Sequence, residues 1–183
     1  MNPICVAILT ISDRCSRGET VDTSGAALAE LIRAKLAAEI VASACIADDR
    51  DQISRKLREW SGKAVPPDLI LTTGGTGLAP RDITPEATLD VLERRHSGLI
   101  ELIRLRCYSK TPRAFLSRGE AGTVGHTLII NLPGSQRAST ECLEAILDIL
   151  PHAVEILRGD ILDCGRRNGV PFTDKIPGSG DGS

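Results

Sequence analysis

Apolar runs alternate along this chain with segments whose apolar residues recur at helical spacing. Four runs are almost wholly aliphatic, as expected of strands buried on both faces, and they cover residues 4–11, 40–46, 68–73 and 126–132. Between and after them, apolar positions three or four residues apart predict helices over 24–38, 48–61, 84–95, 99–108 and 138–157. This alternation predicts an α/β fold, a three-layer α/β/α sandwich around a mostly parallel sheet.

Three breaks interrupt this pattern, and the last of them sets the expected end of the folded part. Pro151, inside the last predicted helix, is expected to bend or split it. The segment 111–125 is punctuated by glycine and shows no clear period. From residue 159 onward Gly, Pro, Asp and Ser dominate. We therefore expect one domain over 1–158 and an irregular to disordered tail over 159–183.

The composition indicates which residues form the core and which classes of binding partner are disfavoured. Of 183 residues 42% are apolar, but only four are aromatic, so the core must be aliphatic. A net charge of −2 argues against a surface for nucleic acid or anionic membranes, and the few aromatics argue against base stacking. No signal peptide is expected, and the sequence has no apolar run long enough to span a membrane and no C-x-x-C pair. Reduced thiols and a cytoplasmic location are the expectation.

Polar residues follow each of the four predicted parallel strands. The carboxyl ends of parallel strands share one edge of a sheet, which is where such folds bind their ligands. Four separate stretches are therefore expected to converge there, namely Ser12-Asp13-Arg14, Asp48-Asp49, Thr73 to Asp82, and Asn131 to Ser135. Their convergence favours a binding site over four unrelated turns.

The stretch 72–88, TTGGTGLAPRDITPEAT, has the outline of a tight turn between a strand and a helix. Gly74, Gly75 and Gly77 let the backbone come close to a ligand, and the free N–H groups of such a turn favour an anion. The spacing fits neither the dinucleotide-binding nor the Walker pattern. A sharp turn without any ligand would explain the same glycines, so both interpretations stay open.

Two carboxylates at the predicted edge are candidates for chemistry. Asp82 lies two residues before Thr84, the predicted helix cap, and is poorly placed to cap that helix itself. Asp49 and Gln52 fit a capping box, and with Asp48 solvated beside them a purely structural interpretation stays open. If Asp48 and Asp82 meet, a cation must separate them from bound phosphates. Mg²⁺ takes one or two carboxylates plus phosphate oxygens, which suits displacement at phosphorus in a nucleoside triphosphate.

Four motifs in the right order resemble the signature of the molybdenum cofactor biosynthesis domain family. They are TISDR at 10–14, TTGGTG at 72–77 with PRDITPEAT at 80–88, LSR at 116–118, and IINLPG at 129–134 with ECL beyond it at 141–143. The resemblance runs from about residue 3 to residue 158 and therefore covers the whole expected domain. Within the family, the chain is most similar to stand-alone molybdopterin adenylyltransferases of the MogA type.

This resemblance implies a MogA-like fold and Mg²⁺-dependent transfer of AMP from ATP to the terminal phosphate of molybdopterin, with release of pyrophosphate. It also implies a homotrimer and a downstream molybdate-inserting partner. The family's two essential acids, on the metal side, correspond to Asp48 and Asp82, and its pterin-pocket serine and asparagine correspond to Ser117 and Asn131. The remaining predicted substrate-binding residues lie at the strand ends and in the glycine turn: Ser12, Asp13, Thr73, Gly74, Gly75, Thr76, Gly77, Pro133 and Gly134.

A second hypothesis is a non-catalytic molybdopterin-binding or scaffold module of the same fold. The presence of both Asp48 and Asp82 favours the enzyme, because a pure binder needs no acids to hold magnesium. A third hypothesis is the related domain that inserts molybdate. That domain normally lies within a much longer chain, so a length of 183 residues argues against it. Whether the glycine turn contacts the phosphates of the pterin or those of ATP is left open by the sequence.

Overall fold

A computed structural model describes residues 3–159, which are arranged around one six-stranded sheet. The strands are β1 (Ile4–Ile11), β2 (Ala38–Ile46), β3 (Leu69–Thr73), β4 (Arg94–Arg95), β5 (Ala121–Val124) and β6 (Thr127–Leu132). The helices are α1 (Asp13–Ser16), α2 (Thr23–Lys35), α3 (Arg50–Ser61), α4 (Thr84–Leu89), α5 (Ser97–Tyr108), α6 (Gln136–Glu144) and α7 (Leu150–Arg158), with a 3₁₀ turn at Pro112–Leu116.

The strand order is β2-β1-β3-β6-β5-β4. Strands β2, β1, β3 and β6 are parallel to one another. At the other side of the sheet, β5 runs antiparallel to β6, and β4 runs antiparallel to β5. The predicted α/β fold with a mostly parallel sheet is therefore confirmed. The two antiparallel strands are an addition that the sequence pattern did not predict.

Helices cover both faces of the sheet, because the central strands are apolar on both sides. On one face α2, α5, α6 and α7 pack against side chains that include Ile8, Leu71 and Ile130. On the other face α3 and α4 pack against Leu9 and Ile70. Neighbouring residues of a strand thus enter different cores, as the two-residue period of a strand requires. This arrangement is the predicted three-layer sandwich.

The predicted helix over 84–95 was wrong in its second half. Helix α4 ends at Leu89, and Arg94 and Arg95 instead form β4, paired with Gly122 and Thr123 of β5. The sequence from 90 to 95 has an acceptable helical pattern, but pairing along the sheet edge overrides that local preference. The same pairing places a short strand within the segment 111–125, which was predicted to be irregular.

Proline and an aspartate cap set the limits of two other helices. Helix α2 begins at Thr23, and Asp22 caps it by accepting the N–H of Gly25 at 2.8 Å. The helix ends at Lys35, three residues before its predicted end. The last predicted helix is split into α6 and α7, with Pro151 in the first turn of α7. Proline suits that position because its missing N–H has no partner in a first turn. The expected break at Pro151 is confirmed.

The far end of α7 is the last feature that the described residues include. Gly159 follows α7 as its C-cap, in the left-handed conformation with φ of 79°. Residues 160–183 lie outside the described part, so the domain over 1–158 and the tail over 159–183 stay predictions. Within residues 3–159, no helix is long and apolar enough to cross a membrane.

Asp68 fixes the end of α7 to the amino-terminal edge of the sheet. Arg158 donates to both of its carboxylate oxygens, at 2.7 and 2.6 Å, and the N–H of Cys5 donates to one of them at 2.7 Å. Burial by itself would raise the pKa of Asp68, but the hydrogen bonds from Arg158 and Cys5 outweigh it. The pKa of this carboxyl therefore lies below its ordinary value of 3.8.

We expect Asp68→Asn to lower the free energy of unfolding at neutral pH by about 1–3 kcal/mol, because it removes charge-assisted hydrogen bonds at a half-buried site. A lowered folded-state pKa stabilises the protein above the ordinary value of 3.8, and this stabilisation is lost as the pH falls through the folded-state pKa. Urea unfolding should thus show a gap between wild type and variant at neutral pH that closes in acid. A gap of equal size at both pH values would contradict the linkage.

Candidate functional site

Loops from three neighbouring strands are packed closely at the carboxyl edge of the sheet. The hydroxyl of Thr73 donates to the carbonyl of Pro133 at 2.7 Å, which ties the end of β3 to the loop after β6. A Cβ on Gly74 would overlap the carbonyl oxygen of Ile11, and one on Gly134 would lie 3.1 Å from the Cα of Gly74. The backbones approach so closely that side chains are excluded. The predicted convergence of strand ends is therefore present.

The glycine turn has left-handed backbone at two successive residues. Gly74 has φ of 111° and Gly75 has φ of 61°, and the turn is closed by the N–H of Thr84 donating to the carbonyl of Gly75 at 3.1 Å. Left-handed conformations cost L-residues free energy that glycine does not incur. This geometry gives the glycines a structural reason, and it also leaves a face of the turn without side chains.

Asp48 and Asp82 each approach a different glycine of that turn. A Cβ on Gly75 would lie 3.3 Å from Oδ1 of Asp48, and one on Gly77 would lie 2.8 Å from Oδ2 of Asp82. The same Cβ on Gly75 would overlap the hydroxyl of Thr84, which is buried and has no hydrogen-bond partner among the described residues. Two carboxylates and one orphaned hydroxyl thus border a small glycine surface.

Asp13 links the Asp48 carboxylate to the neighbouring loop. The N–H of Asp13 donates to Oδ2 of Asp48 at 2.9 Å, and the N–H of Asp48 donates back to Oδ1 of Asp13 at 3.1 Å. Arg81 forms an ion pair with the other oxygen of Asp13. Burial is the main reason that the pKa of Asp48 is raised. The N–H of Asp13 opposes the rise, while the negative charges of Asp13 and Asp82 add to it.

The capping interpretation of these residues holds only in part. Asp49 caps α3 by accepting the N–H of Gln52 at 2.9 Å, as predicted, whereas Asp48 is turned toward Asp13. Thr84 was predicted to cap α4, but the cap position is Ile83 and no side chain caps that helix. One oxygen of Asp82 accepts the N–H of Ala79 at 2.9 Å, so this carboxylate also shapes its own loop.

We expect Asp48→Asn to raise the free energy of unfolding of the ligand-free protein at neutral pH by about 0.5–1 kcal/mol, as functional sites often trade stability for function. The amide oxygen can still accept the N–H of Asp13, and the repulsion among the acids, which solvent partly screens, is removed. For an acid whose folded-state pKa is raised, the favourable contribution is present below the ordinary value of 3.8 and is lost as the pH rises through the folded-state pKa.

Thermal unfolding from acid to neutral pH measures this linkage. The wild type should lose stability relative to Asp48→Asn as the pH rises. The matched control is Asp49→Asn, since asparagine caps a helix as well as aspartate does and this residue does not face Asp13. A control that behaves like Asp48→Asn would show that the effect is not specific to the Asp48 site.

A cavity of about 740 Å³ opens beside the glycine turn, between the turn, the segment after α5 and the start of α6. Its wall includes Asp82, Ser117 and the backbone of 75–77 and 133–134, all predicted site residues. The hydroxyl of Ser117 lies 3.3 Å from that of Thr76, so the serine is held against the turn. The volume is in the range of pockets that enclose small organic ligands.

Three cationic side chains on the cavity wall were not predicted from the sequence: Lys110, Arg113 and Arg137. Ser135 also lines the cavity and caps α6 by accepting the N–H of Ala138, so the positive end of that helix faces the space. A helix that starts directly after a parallel strand must begin at the binding edge. The sequence analysis placed Ser135 at that edge, and the same rule could have identified Arg137. Lys110 and Arg113 lie where the pattern has no period, and no signal marked them.

Ser12 belongs to a second, smaller cavity. The space measures about 490 Å³ and lies across Thr73 and Gly134 from the first, with Asp22 and Ser24 on its wall. The hydroxyl of Ser12 accepts the N–H of Cys15 at 3.3 Å and so caps the short helix α1. Ser12 therefore has a structural bond as well as a place at the predicted edge.

Asn131, predicted for the pterin pocket, does not line the larger cavity. Its side chain is only 2% exposed and donates to the hydroxyls of Thr72 and Thr88, each at 2.9 Å. Its amide oxygen accepts the N–H of Glu120 at 3.1 Å. These bonds use both donors of the amide and its oxygen, so the residue joins β6, β3 and α4 from inside the protein. In this structure Asn131 supports the site from behind and has no open face toward it.

Comparison with known proteins decides the family. A family model described as "Probable molybdopterin binding domain" matches residues 7–152, which is most of the chain. The chain belongs to this family. The resemblance in the sequence motifs is thereby confirmed, and the geometry of the turn and cavity can be considered as that of a molybdopterin-binding domain.

Relatives of this molybdopterin-binding domain include proteins of similar and of much greater length. The molybdopterin adenylyltransferase of Helicobacter pylori strain J99 is 38% identical over 176 residues, covering 96% of this chain and 99% of that protein. The molybdenum cofactor synthesis protein cinnamon of Drosophila melanogaster is 44% identical over 161 residues. That match covers 88% of this chain but only 27% of the fly protein.

The fold is also that of solved members of the molybdopterin-binding domain family. The crystal structure of the molybdopterin biosynthesis enzyme MoaB from Thermus thermophilus has a TM-score of 0.80 and 49% sequence identity. The match covers 85% of this chain and 97% of that chain. A solved structure of MogA also matches, with a TM-score of 0.77 and 35% identity over 84% of this chain and 99% of that chain, so the expected MogA-like fold is confirmed.

Proposed function

We propose that the protein is a molybdopterin adenylyltransferase, a nucleotidyltransferase of molybdenum cofactor biosynthesis. The observation that carries the proposal is that Asp48 approaches Gly75 and Asp82 approaches Gly77 of the same glycine turn, and that Asp82 also lines a cavity of about 740 Å³. Burial is the main cause of the raised pKa of Asp48, and the negative charges of Asp13 and Asp82 add to it. A module that only bound the pterin would have no need to keep a partly buried acid beside two others. The relationship to the Helicobacter enzyme over nearly its full length supports the same activity.

The cavity wall suits a phosphorylated organic substrate such as molybdopterin. Lys110, Arg113 and Arg137 supply positive charge, although Arg137 pairs with Glu141 on the same wall at 2.9 Å and Lys110 pairs with Glu144 at 3.5 Å. The hydroxyls of Thr76 and Ser117 supply hydrogen bonds. The first turn of α6 adds unbonded backbone N–H groups at its positive end. Together these groups can hold the terminal phosphate of the pterin next to the glycine turn.

In the proposed reaction an oxygen of that terminal phosphate attacks the α-phosphorus of ATP. A new P–O bond forms, the bond between the α- and β-phosphates breaks, and pyrophosphate leaves with the electron pair. The attacking oxygen is already ionised, so no residue has to remove a proton. The chain's task is to bring the two phosphates together and to offset their charge.

Mg²⁺ is proposed as the cofactor, held by Asp48 and Asp82. Oδ1 of Asp48 faces the glycine turn while Oδ2 is used by Asp13, so one oxygen points toward the space that a phosphate would occupy. Among residues 3–159 no group of three or more His, Cys, Asp or Glu could hold a metal. This fits an ion that takes one or two carboxylates and completes its shell with phosphate oxygens and water. Bound there, Mg²⁺ would neutralise charge on the transferring phosphates.

The proposal extends to location and assembly. ATP is the second substrate and the cytoplasm the proposed location, where the five free thiols of the described part would stay reduced. A homotrimer is proposed, and four exposed apolar side chains on α5 and the following 3₁₀ turn offer a surface for it: Leu105, Tyr108, Phe115 and Leu116. The product would pass to a molybdate-inserting protein. Supporting this, the fly relative joins this domain to a much longer chain.

The direct test is to incubate the full chain with ATP, Mg²⁺ and molybdopterin and to follow both products. Adenylylated molybdopterin, identified by mass spectrometry, and pyrophosphate should accumulate in equal amounts, and EDTA should stop both. Tight binding of the pterin without adenylylation would establish the binding-module hypothesis instead. Molybdopterin without its terminal phosphate serves as the matched substrate control, because it lacks the attacking group.

A further inference from the structure

Arg118 joins the cavity wall to the glycine turn through four separate contacts. Its backbone N–H donates to the carbonyl of Thr76 at 2.8 Å, and its Nε donates to the carbonyl of Gly77 at 2.8 Å. One terminal nitrogen donates to the carbonyl of Asp82, and the other forms an ion pair with Glu86 of α4. One side chain therefore contacts the turn, the loop that carries the metal-side acid and the helix that follows.

These contacts bracket the loop between Gly77 and Asp82. Within the loop the N–H of Asp82 donates to the carbonyl of Ala79, and the Asp82 carboxylate accepts the N–H of Ala79, both at 2.9 Å. Leu78, at the tip, is 67% exposed. A loop with an exposed tip has little packing of its own to fix its position, so bonds at its two ends decide where its carboxylate lies.

The guanidinium group is suited to this task because its donors have a fixed planar arrangement. The carbonyls of Gly77 and Asp82 are both met by the same rigid fork, which sets the distance between the two ends of the loop. Glu86 orients that fork by holding its outer edge. Its hydrogen bond with Arg118 is the main reason that the pKa of Glu86 is lowered, so the pair is charged at neutral pH.

We infer that Arg118 is a positioning residue for the proposed adenylyl transfer. Arg118 fixes the position of the Asp82 carboxylate relative to Ser117, the residue that precedes Arg118 in the chain. The inference rests on the proposed role of Asp82. Arg118 makes the position of the metal-side acid depend on the same short segment that supplies the serine of the substrate cavity. Phosphate and cation are thus aligned by one rigid connection.

Arg118→Lys tests the inference, because lysine keeps the positive charge but cannot reach both carbonyls and Glu86 with one point-like ammonium. Glu86→Gln is the second variant, since it removes the carboxylate charge and leaves the carbonyl bonds of the guanidinium in place. The matched control is Arg50→Lys. Arg50 donates two bonds to Asp90, both at 2.7 Å, just beyond α4, and neither bond involves the glycine turn.

For Arg118→Lys we expect kcat to fall by about 10–100-fold while KM for molybdopterin stays within about threefold, because misplacement by about an ångström affects the transition state far more than ground-state binding. Glu86→Gln should show a smaller loss of the same kind, and Arg50→Lys should match the wild type. Wild-type kcat in Arg118→Lys, a rise in KM alone, or an equal loss in Arg50→Lys would each overturn the inference.

A second readout does not depend on the reaction. Hydrogen–deuterium exchange of peptides covering 74–86 should be faster in Arg118→Lys than in wild type or Arg50→Lys, with exchange in the β1 peptide unchanged. If the wild type makes no adenylylated product, the proposed function fails, and the exchange experiment alone then decides whether Arg118 positions the loop. Unchanged exchange over 74–86 would show that it does not.

Discussion

Gly74→Ala is expected to lower the free energy of unfolding by about 4 kcal/mol or more, a large share of the stability of a typical domain. Two costs combine at this residue. The backbone has φ of 111°, which an L-residue rarely adopts, and the added Cβ would overlap the carbonyl oxygen of Ile11 in the neighbouring strand. A backbone oxygen inside a parallel sheet cannot move aside as a flexible side chain can. Urea unfolding followed by circular dichroism measures the loss.

Gly125→Ala is the matched control for this experiment. Gly125 also has a positive φ, of 53°, but a Cβ there would meet nothing within 4 Å. Only the conformational cost remains, so we expect a loss of about 1–2 kcal/mol. If the two variants lost equal stability, the close approach of the strand ends at Gly74 would not be the reason for its glycine.

Asp82→Asn is expected to lower the rate of adenylyl transfer by at least about 10²–10³-fold, the usual scale for losing one electrostatic contact with the transition state. The amide oxygen can still accept the N–H of Ala79, so the loop should keep its shape. Only the negative charge that would hold the cation is removed. Single-turnover measurement of adenylylated pterin gives the rate, and fluorescence titration gives the affinity for molybdopterin, which should change little.

The control for Asp82→Asn is Asp148→Asn. Asp148 lies between α6 and α7 and is an exposed carboxylate that pairs with Arg106 of α5. Its substitution by asparagine makes the same chemical change outside the site. This variant should react at the wild-type rate. Persistent turnover in Asp82→Asn would remove this residue from the proposed metal site, whereas a parallel loss of pterin affinity would mean that the substitution disturbs the cavity itself.

Much of the architecture follows from the sequence, because a strand buried on both faces leaves an unmistakable pattern. β1, β3 and β6 are mostly aliphatic and almost wholly buried. The rule that parallel strands bind ligands at their carboxyl ends was enough to locate the candidate site. The sheet's antiparallel side was not predicted. β4 has two residues, both exposed, and β5 has four, so neither is long enough to show a period.

The sequence predicted those parts of the candidate site that depend on glycines and on the ends of strands. It did not predict contacts between side chains that are far apart in the sequence. The glycines of 74–77 indicate a turn with close neighbours, and Asp48 and Asp82 were located by their strand ends. The ion pair of Arg118 with Glu86 joins residues 32 positions apart, and no local pattern reveals such a pair. Asn131 shows the opposite difficulty, because its place in the motif does not reveal that its amide is turned inward.

The anchor at Asp68 brings the first and last described parts of the chain together. Arg158, while bound to Asp68, also donates to the carbonyl of Pro3 at 2.8 Å, at the edge of the sheet opposite the glycine turn. A unit whose two ends adjoin can be inserted into a longer polypeptide, or joined head to tail and reopened elsewhere, with little change to its interior. Additional domains, affinity tags or surface tethers attached at this point would adjoin the edge of the sheet opposite the glycine turn.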